Sequence, residues 1–174
     1  MTTLWDTIAE EATAESPLWG QALRSGVERE LEPVFSPFGD ARFALGLETI
    51  YEGYLMHYGH PRLFAPPDRD NALLLGDYLY AHGLVRVAAH REVDAVADLA
   101  ELISLCAQLR AGELEGDGAA WAASAALLGR GLLGPAREAL RMRGDAEPLL
   151  ALAREVAGDE AVDRALAAHL VRVG

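Results

Sequence analysis

The sequence contains no lysine, and all fifteen basic residues are arginine. This absence excludes mechanisms that need a lysine amine, such as Schiff-base chemistry or a lysine clamp on phosphate. A single cysteine, Cys106, excludes a disulfide framework and a cysteine-based zinc site. Basic charge is scarce too, because 27 acidic residues outweigh it and give a net charge of −12. Such an acidic chain repels phosphates and anionic lipids, so we expect no nucleic-acid partner.

Long apolar runs are also missing. The longest one, residues 118–129, is too short to cross a bilayer and is followed by Arg130. The first fifteen residues are acidic, which is unlike a signal peptide. We therefore expect a cytoplasmic protein without a membrane span.

Strict alternation of apolar and polar residues, the pattern of half-buried strands, is absent, whereas helical periodicity extends through almost the whole chain. The sequence therefore predicts an all-α helical bundle that forms one domain, 1–174. We expect its central helices within 40–112 and a C-terminal helical layer within 119–174. The predicted helices are 3–13, 16–31, 40–58, 68–89, 91–111, 119–133, 135–143, 146–157 and 160–173. The helices 68–89 and 91–111 are apolar around most of their circumference, which predicts that they lie at the centre of the bundle.

The densest group of polar side chains lies between residues 57 and 77. It consists of His57, His60, Arg62, Asp68, Arg69, Asp70 and Asp77. A metal site would need His57 and His60 together with one or more of the aspartates, but Gly59 and Pro61 end the helix around His60, and no HExxH motif is present. We interpret the group as helix caps and loop histidines, and expect neither a metal nor a cofactor.

Two further acidic features need an interpretation. Asp94, Asp98 and Glu101 recur at helical spacing, and we interpret them as a solvated helix face. Asp77 shares a predicted helix face with apolar residues, next to Gly76. We therefore predict that Asp77 is mostly buried and hydrogen-bonded to an arginine or a tyrosine hydroxyl of a neighbouring segment.

The predicted helix 68–89 contains Gly76 and Gly83, which lie on one face because they are seven residues apart. Each glycine costs about 1 kcal/mol relative to alanine inside a helix. This cost is compensated if another backbone packs closely against the glycines, so we expect a close helix contact there.

Four segments, in this order, resemble parts of the trans-polyprenyl diphosphate synthases, an all-helical family that joins isoprene units. Residues 47–57 are similar to the family helix that ends in SLIHDD. Residues 72–81, ALLLGDYLYA, resemble the helix xVLxGDxLxxxA, with Gly76 and Asp77 as its GD pair. Residues 106–113, which include Gln108, are similar to the helix end CQMxxGE, and residues 120–125 resemble the helix LFAAS.

The departures from this family pattern fall on its functional residues. Tyr58 and Gly59 stand at the first two positions of the aspartate-rich DDxxD motif, and Arg62 stands at its last. The basic loop RRGxP has no clear counterpart, and a second DDxxD is missing. Gly116 and Asp117 stand where the family has a Lys-Thr pair. The groups that would hold magnesium and neutralise a diphosphate are therefore missing from the resemblance.

The resemblance and its departures together imply a truncated isoprenoid-synthase fold without catalysis by the chain alone. We expect a small-subunit-like, regulatory relative of these enzymes that pairs with a catalytic prenyl synthase chain, or with a second copy of itself, in isoprenoid biosynthesis. The glycine face of helix 68–89 is the contact that we expect such a partner to use. The expected binding residues, none of them catalytic or metal-ligating, are His57, His60, Arg62, Asp70, Asp77 and Gln108.

Two other functions fit the sequence. The first is a small helical enzyme that binds a ligand or metal near His57, His60, Asp70 and Asp77. The second is a homodimeric structural protein that retains no ligand.

Overall fold

The computed structural model describes residues 2–174, which fold into nine α-helices without a β-strand. The helices are α1 Leu4–Glu15, α2 Pro17–Gln21, α3 Ala44–Tyr58, α4 Arg69–Ala88, α5 Val93–Ala111, α6 Asp117–Ala126, α7 Gly134–Arg143, α8 Glu147–Ala157 and α9 Asp159–Val173. The predicted all-α fold is thus confirmed. None of the helices in this part of the chain is both long and apolar enough to cross a membrane.

Local capping signals account for most helix starts. The Ser16 side chain accepts a hydrogen bond from the second residue of α2, and Pro17 occupies the first helical position. Asp68 caps α4 by accepting the backbone N–H of Asn71 at 2.8 Å. These pairs satisfy backbone donors that the helix itself leaves free, so the start of each helix is fixed by its own sequence.

The segment after α2 departs from the predicted helix 16–31. The helix ends at Gln21, and the chain then runs alongside residues 62–65. The N–H of Ala65 donates to the Ala22 carbonyl at 2.6 Å, and the N–H of Arg24 donates to the Leu63 carbonyl at 3.0 Å. The prediction was wrong because these long-range hydrogen bonds replace those of a helix, which local periodicity does not anticipate.

The centre of the bundle consists of α3 and α6 rather than of the two helices expected there. Every residue of α6 is buried, as are eleven of the fifteen residues of α3. In contrast, α4 and α5 each bury one face and turn the other to solvent. The alanines and the single glycine of α6 let neighbouring helices approach from all sides, whereas α4 exposes large residues such as Leu74 and Val85.

Helices α3 and α4 pack through glycines on both sides. A Cβ atom at Gly53 would lie 2.9 Å from the Gly76 carbonyl oxygen, and one at Gly83 would lie 3.0 Å from that of Gly46. The expected close approach is confirmed. However, the glycine face is filled by α3 of the same chain, so it is not available to a partner, and that expectation was wrong.

The acidic residues of α5, which were predicted to form a solvent-exposed face, are only partly exposed. Asp94 and Glu101 are exposed, but Asp98 is buried. The Arg137 guanidinium donates to Asp98 Oδ1 at 2.8 Å, and the backbone N–H of Gly129 donates to Oδ2 at 2.8 Å. Asp98 therefore connects α5 to α7 and to the loop before it, because a buried carboxylate must be paired.

Two apolar clusters form the core, and both include residues of α3. The larger joins α3, α5, α6, α8 and α9 around Trp121. The smaller packs α1, with Trp5 and Ile8, against α4 and against Leu63 and Phe64 of the loop that follows α3. Consequently most of α3 is covered, and its polar side chains Glu48, Thr49 and Glu52 are buried.

Candidate functional site

The structure brings together two of the predicted binding residues, His57 and Asp77. Nε2 of His57 lies 3.2 Å from Oδ1 of Asp77, although not in hydrogen-bonding geometry, and its ring stacks on Tyr80. Burial lowers the pKa of His57, and the Asp77 charge opposes this effect only in part. The Asp77 side chain is 73% exposed, so its predicted burial was wrong. The face of α4 that packs on α3 is centred on glycines, which leaves Asp77 at the solvent edge.

The other predicted residues do not join this pair. His60, Asp70 and Gln108 are exposed, and their side chains form no hydrogen bond with residues 2–174. Across that same stretch, no three histidine, cysteine or acidic side chains converge as metal ligands. His57, His60, Asp70 and Asp77 therefore do not converge as a group of metal ligands.

Arg62 lies in the core, in what we call the Arg62 cluster, which consists of Arg62, Glu48 and Glu52. Its Nη1 donates to Glu48 at 2.7 Å and its Nε donates to Glu52 at 3.1 Å, while the other Glu52 oxygen accepts the backbone N–H of Leu63 at 2.7 Å. All three side chains are at most 1% exposed. Burial alone would lower the pKa of Arg62, but the charges of Glu48 and Glu52 outweigh it and raise that pKa.

Aromatic rings enclose the same guanidinium. Its central carbon lies 4.5 Å from the ring centroid of Trp5 on α1 and 4.8 Å from that of Tyr51 on α3. These distances allow cation–π attraction, which is strongest where water is excluded. Arg62 therefore fastens α1 and the loop after α3 to the centre of the bundle and has no surface for a ligand.

A cleft of about 560 Å³ lies elsewhere, between the start of α6, the end of α5, and α8 and α9. This volume is typical of small-molecule sites, which range from about 300 to 1,000 Å³. Its polar lining residues are Arg110, Glu115, Asp117 and His169, and its large apolar lining residues are Leu114, Leu150, Leu166, Leu170 and Val173. The cleft thus combines an apolar wall with a polar floor.

Asp117, the first residue of α6, lies at the floor of this cleft. Its Oδ2 atom accepts hydrogen bonds from the Tyr54 hydroxyl, from Arg110 Nη2 and from His169 Nε2. Nδ1 of His169 lies 2.9 Å from the Tyr51 hydroxyl. These five residues, which we call the Asp117 cluster, connect α3, α5, α6 and α9.

Two features keep Asp117 ionised. Burial would raise the pKa of the carboxyl group, but the hydrogen bonds from His169 and Tyr54 and the charge of Arg110 outweigh it and hold that pKa well below its usual range. The carboxylate also lies at the N-terminus of α6, where the helix dipole favours negative charge. Asp117 therefore accepts hydrogen bonds at any physiological pH.

The second oxygen of Asp117 is free for a ligand. All three donors bind Oδ2, and no group within residues 2–174 donates to Oδ1. Oδ1 is not fully buried, so it is accessible from the solvent. Since Asp117 lines the cleft, Oδ1 presents an unused acceptor there.

The Asp117 carboxylate fixes one proton of the Asp117 cluster. An ionised carboxylate only accepts hydrogen bonds, so Nε2 of His169 carries a proton and donates it to Asp117, while Nδ1 of the same ring forms a hydrogen bond with the Tyr51 hydroxyl. Burial raises the pKa of Tyr51, whose side chain lies in the core. This chain of hydrogen bonds therefore ends inside the protein, and its role is to orient Asp117.

Almost no pattern in the sequence predicts the Asp117 cluster. Tyr51 and His169 are 118 residues apart, and no spacing motif links them. Asp117 follows Gly116, which has a φ of +114°, and such a Gly-Asp pair at a helix start is explained equally well by a turn and a dipole effect. The tyrosines at helical spacing on α3 were the one available signal, since they mark a face that has polar groups to satisfy.

Comparison of the chain with known proteins found no matching family, no similar curated protein and no similar solved structure. The four segments that resemble the polyprenyl diphosphate synthases lie on α3, on α4, on α6 and at the end of α5 with the turn that follows. Each of these helices packs against the next along the chain.

Proposed function

We propose that this protein is a non-catalytic, small-subunit-like relative of the polyprenyl diphosphate synthases and pairs with a catalytic chain in isoprenoid biosynthesis. Two arguments support the proposal. The segments that carry the resemblance lie on four consecutive helices, α3 to α6, each of which packs against the next. In addition, the region that would carry metal ligands in that family has a different role here.

The position of Arg62 is the observation that carries the proposal. Arg62 stands where the family has the last aspartate of its DDxxD motif, and it is enclosed by Glu48, Glu52, Trp5 and Tyr51. A side chain that is fully buried in a paired cluster contributes to folding rather than to metal binding. The loop after α3 therefore holds the bundle together where the family's loop would hold magnesium.

Exposed apolar residues on the outer side of α4 and α5 support the pairing half of the proposal. On α4, the residues opposite the glycine face are exposed and apolar, namely Leu74, Ala81, Val85 and Ala88. On α5, the exposed residues opposite the core include Val93, Ala97, Ala100 and Ser104. Exposed apolar surface of this kind is typical of protein–protein contacts.

The catalytic half of the proposal is tested with isopentenyl diphosphate and an allylic diphosphate in the presence of magnesium. We expect no prenyl transfer by the purified chain. Turnover at stoichiometric concentrations of the chain, abolished by a chelator, would overturn the proposal.

The pairing half is tested by mixing the chain with a complete polyprenyl diphosphate synthase from the same source and measuring molecular mass by light scattering. We expect a complex that Val85→Asp weakens and that Val27→Asp leaves intact, because both valines are exposed but only Val85 lies on α4. A stable mass of twice 18.7 kDa for the chain alone would favour self-association instead. A monomer that forms no complex would contradict pairing.

A further inference from the structure

We propose that the cleft between α6, α8 and α9 binds a primary amine that carries an apolar chain, with its ammonium group on Oδ1 of Asp117. This site is independent of the pairing proposed above. It rests on the unused acceptor, on the charges around it and on the apolar wall of the cleft.

The unused acceptor is available to a donor group of a ligand in place of water. Oδ1 of Asp117 is the oxygen that none of the three donors in the Asp117 cluster occupies. The cluster also prevents the carboxylate from rotating, since its hydrogen bonds come from α3, α5 and α9. A ligand N–H group therefore meets an acceptor that is already oriented, which reduces the ordering cost of binding.

The charges at the floor favour a cation over an anion. The Arg110 side chain donates to the Tyr54 hydroxyl from Nε at 3.0 Å and from Nη2 at 2.9 Å, and to Asp117 from Nη2, so its charge is paired with that carboxylate. Its Nη1 has no acceptor within residues 2–174 and is the donor that remains for an anion. Asp117 already occupies the place that an anionic ligand would take at the start of α6 and beside Arg110. Glu115, also in the cleft lining, is exposed and adds a negative charge without a paired cation in residues 2–174.

The rest of the cleft requires an apolar body. Leu150, Leu166 and Val173 line it and are half-buried, and Leu114 and Leu170 are more than half exposed at its rim. A ligand chain that covers these side chains removes apolar surface from water, which is the main source of affinity in such sites. A compound with a polar head and an aliphatic chain meets both parts of the cleft.

The test uses n-octylamine, 1-octanol and octanoate, which share a chain length and differ in the head group, in calorimetric titrations of the whole chain at neutral pH. We expect one molecule of octylamine to bind per chain, at least tenfold more tightly than octanol, and octanoate to bind weakest. Octanoate binding as tightly as octylamine, or no saturable binding of octylamine, would overturn the proposal.

Variants locate the site without disturbing the Asp117 cluster. Leu170→Trp places a larger side chain at the rim and should weaken octylamine binding at least fivefold, whereas Val171→Trp, next to it on α9 and outside the cleft lining, should not. Glu115→Gln should reduce the preference for octylamine over octanol because it removes one negative charge. Equal binding by the Leu170→Trp variant and the wild-type protein would contradict this location, and circular dichroism verifies that each variant is folded.

Discussion

The Arg62 cluster and the Asp117 cluster both bury charged side chains against α3, yet they differ in whether a ligand can reach them. In the Arg62 cluster the charged side chains are at most 1% exposed, and both carboxylates are paired with the guanidinium. In the Asp117 cluster the carboxylate remains 13% exposed and keeps one oxygen without a donor. The first cluster is closed to any ligand, whereas the second presents an acceptor to a cleft. Each cluster has a carboxylate oxygen without a donor in residues 2–174, Oε1 of Glu48 and Oδ1 of Asp117. The difference lies in access, because Glu48 is 1% exposed in the core whereas Asp117 lines a cleft.

The largest expected effect is that of Arg62→Met. The substitution leaves Glu48 and Glu52 without their counter-charge in the core, and removal of one partner from a buried ion pair costs about 3–5 kcal/mol. Urea denaturation monitored by circular dichroism measures the loss. Arg141→Met is the control, since Arg141 pairs with exposed Glu101 and Glu138, and it should change stability by less than about 1 kcal/mol. If Arg62→Met lowered stability as little as the control does, Glu48 and Glu52 would not depend on Arg62 as their counter-charge.

Asp117→Asn should have the next largest effect. The amide keeps the shape of the side chain, and its oxygen can still accept the hydrogen bonds of Tyr54, Arg110 and His169. It loses the negative charge that pairs with Arg110 and strengthens these hydrogen bonds. The expected cost is about 1–3 kcal/mol in the same urea experiment at neutral pH. A stability unchanged from wild type would show that the three donors do not depend on a carboxylate.

The free energy of unfolding should depend on pH differently in the wild-type protein and in Asp117→Asn when the solution is acidic. The pKa of Asp117 is lower in the folded protein than the value of about 3.9 expected when unfolded. As pH falls, the unfolded chain takes up the proton first, so the contribution of Asp117 is complete above about pH 5 and decreases as pH falls towards the folded pKa. We therefore expect a smaller difference between wild type and Asp117→Asn at pH 3 than at pH 7. A constant difference would contradict the lowered pKa.

Tyr51→Phe should have a smaller effect. The variant keeps the ring beside Arg62 and removes only the hydroxyl that lies 2.9 Å from His169 Nδ1. One hydrogen bond contributes about 0.5–1.5 kcal/mol to stability. Tyr78→Phe, which removes a hydroxyl without a hydrogen-bond partner in residues 2–174, is the matched control and should be close to neutral. If both variants lose the same amount, the Tyr51 hydroxyl does not support His169.

Asp77→Ala should have the smallest effect. The carboxylate is exposed and approaches only His57, and such surface pairs contribute about 0–1 kcal/mol. Thermal melts of wild type and variant should therefore differ by a few degrees at most. A loss comparable to that of Arg62→Met would contradict the exposed position of Asp77.

Much of the helical fold could be predicted from the sequence because its signals are local. Ser16 with Pro17, and Asp68, mark helix starts through hydrogen bonds within a few residues, and the structure places helices there. The helix predicted over 16–31 was too long because the hydrogen bonds that end it come from residues 62–65. Boundaries that depend on distant segments leave no trace in local periodicity.

The polar interior was harder to predict for a related reason. Asp77 and Asp98 both lie on helices with apolar neighbours, yet Asp77 is exposed and Asp98 is buried. The two aspartates differ in the segment that packs against them. The packed face of α4 is formed around glycines and does not include Asp77, whereas Arg137 of α7 pairs with Asp98. Composition places a carboxylate on a helix face, but the partner that allows its burial is set by the tertiary fold.

The burial of Cys106 allows local unfolding around α5 to be measured by thiol labelling. This single thiol lies in α5 in the main apolar cluster and is 1% exposed, and burial raises its pKa. Thiol reagents attack the ionised sulfur, so a native molecule is protected both by access and by protonation. The rate at which Cys106 is labelled therefore reports the frequency of the opening events that expose α5 to solvent, and no engineered probe is needed.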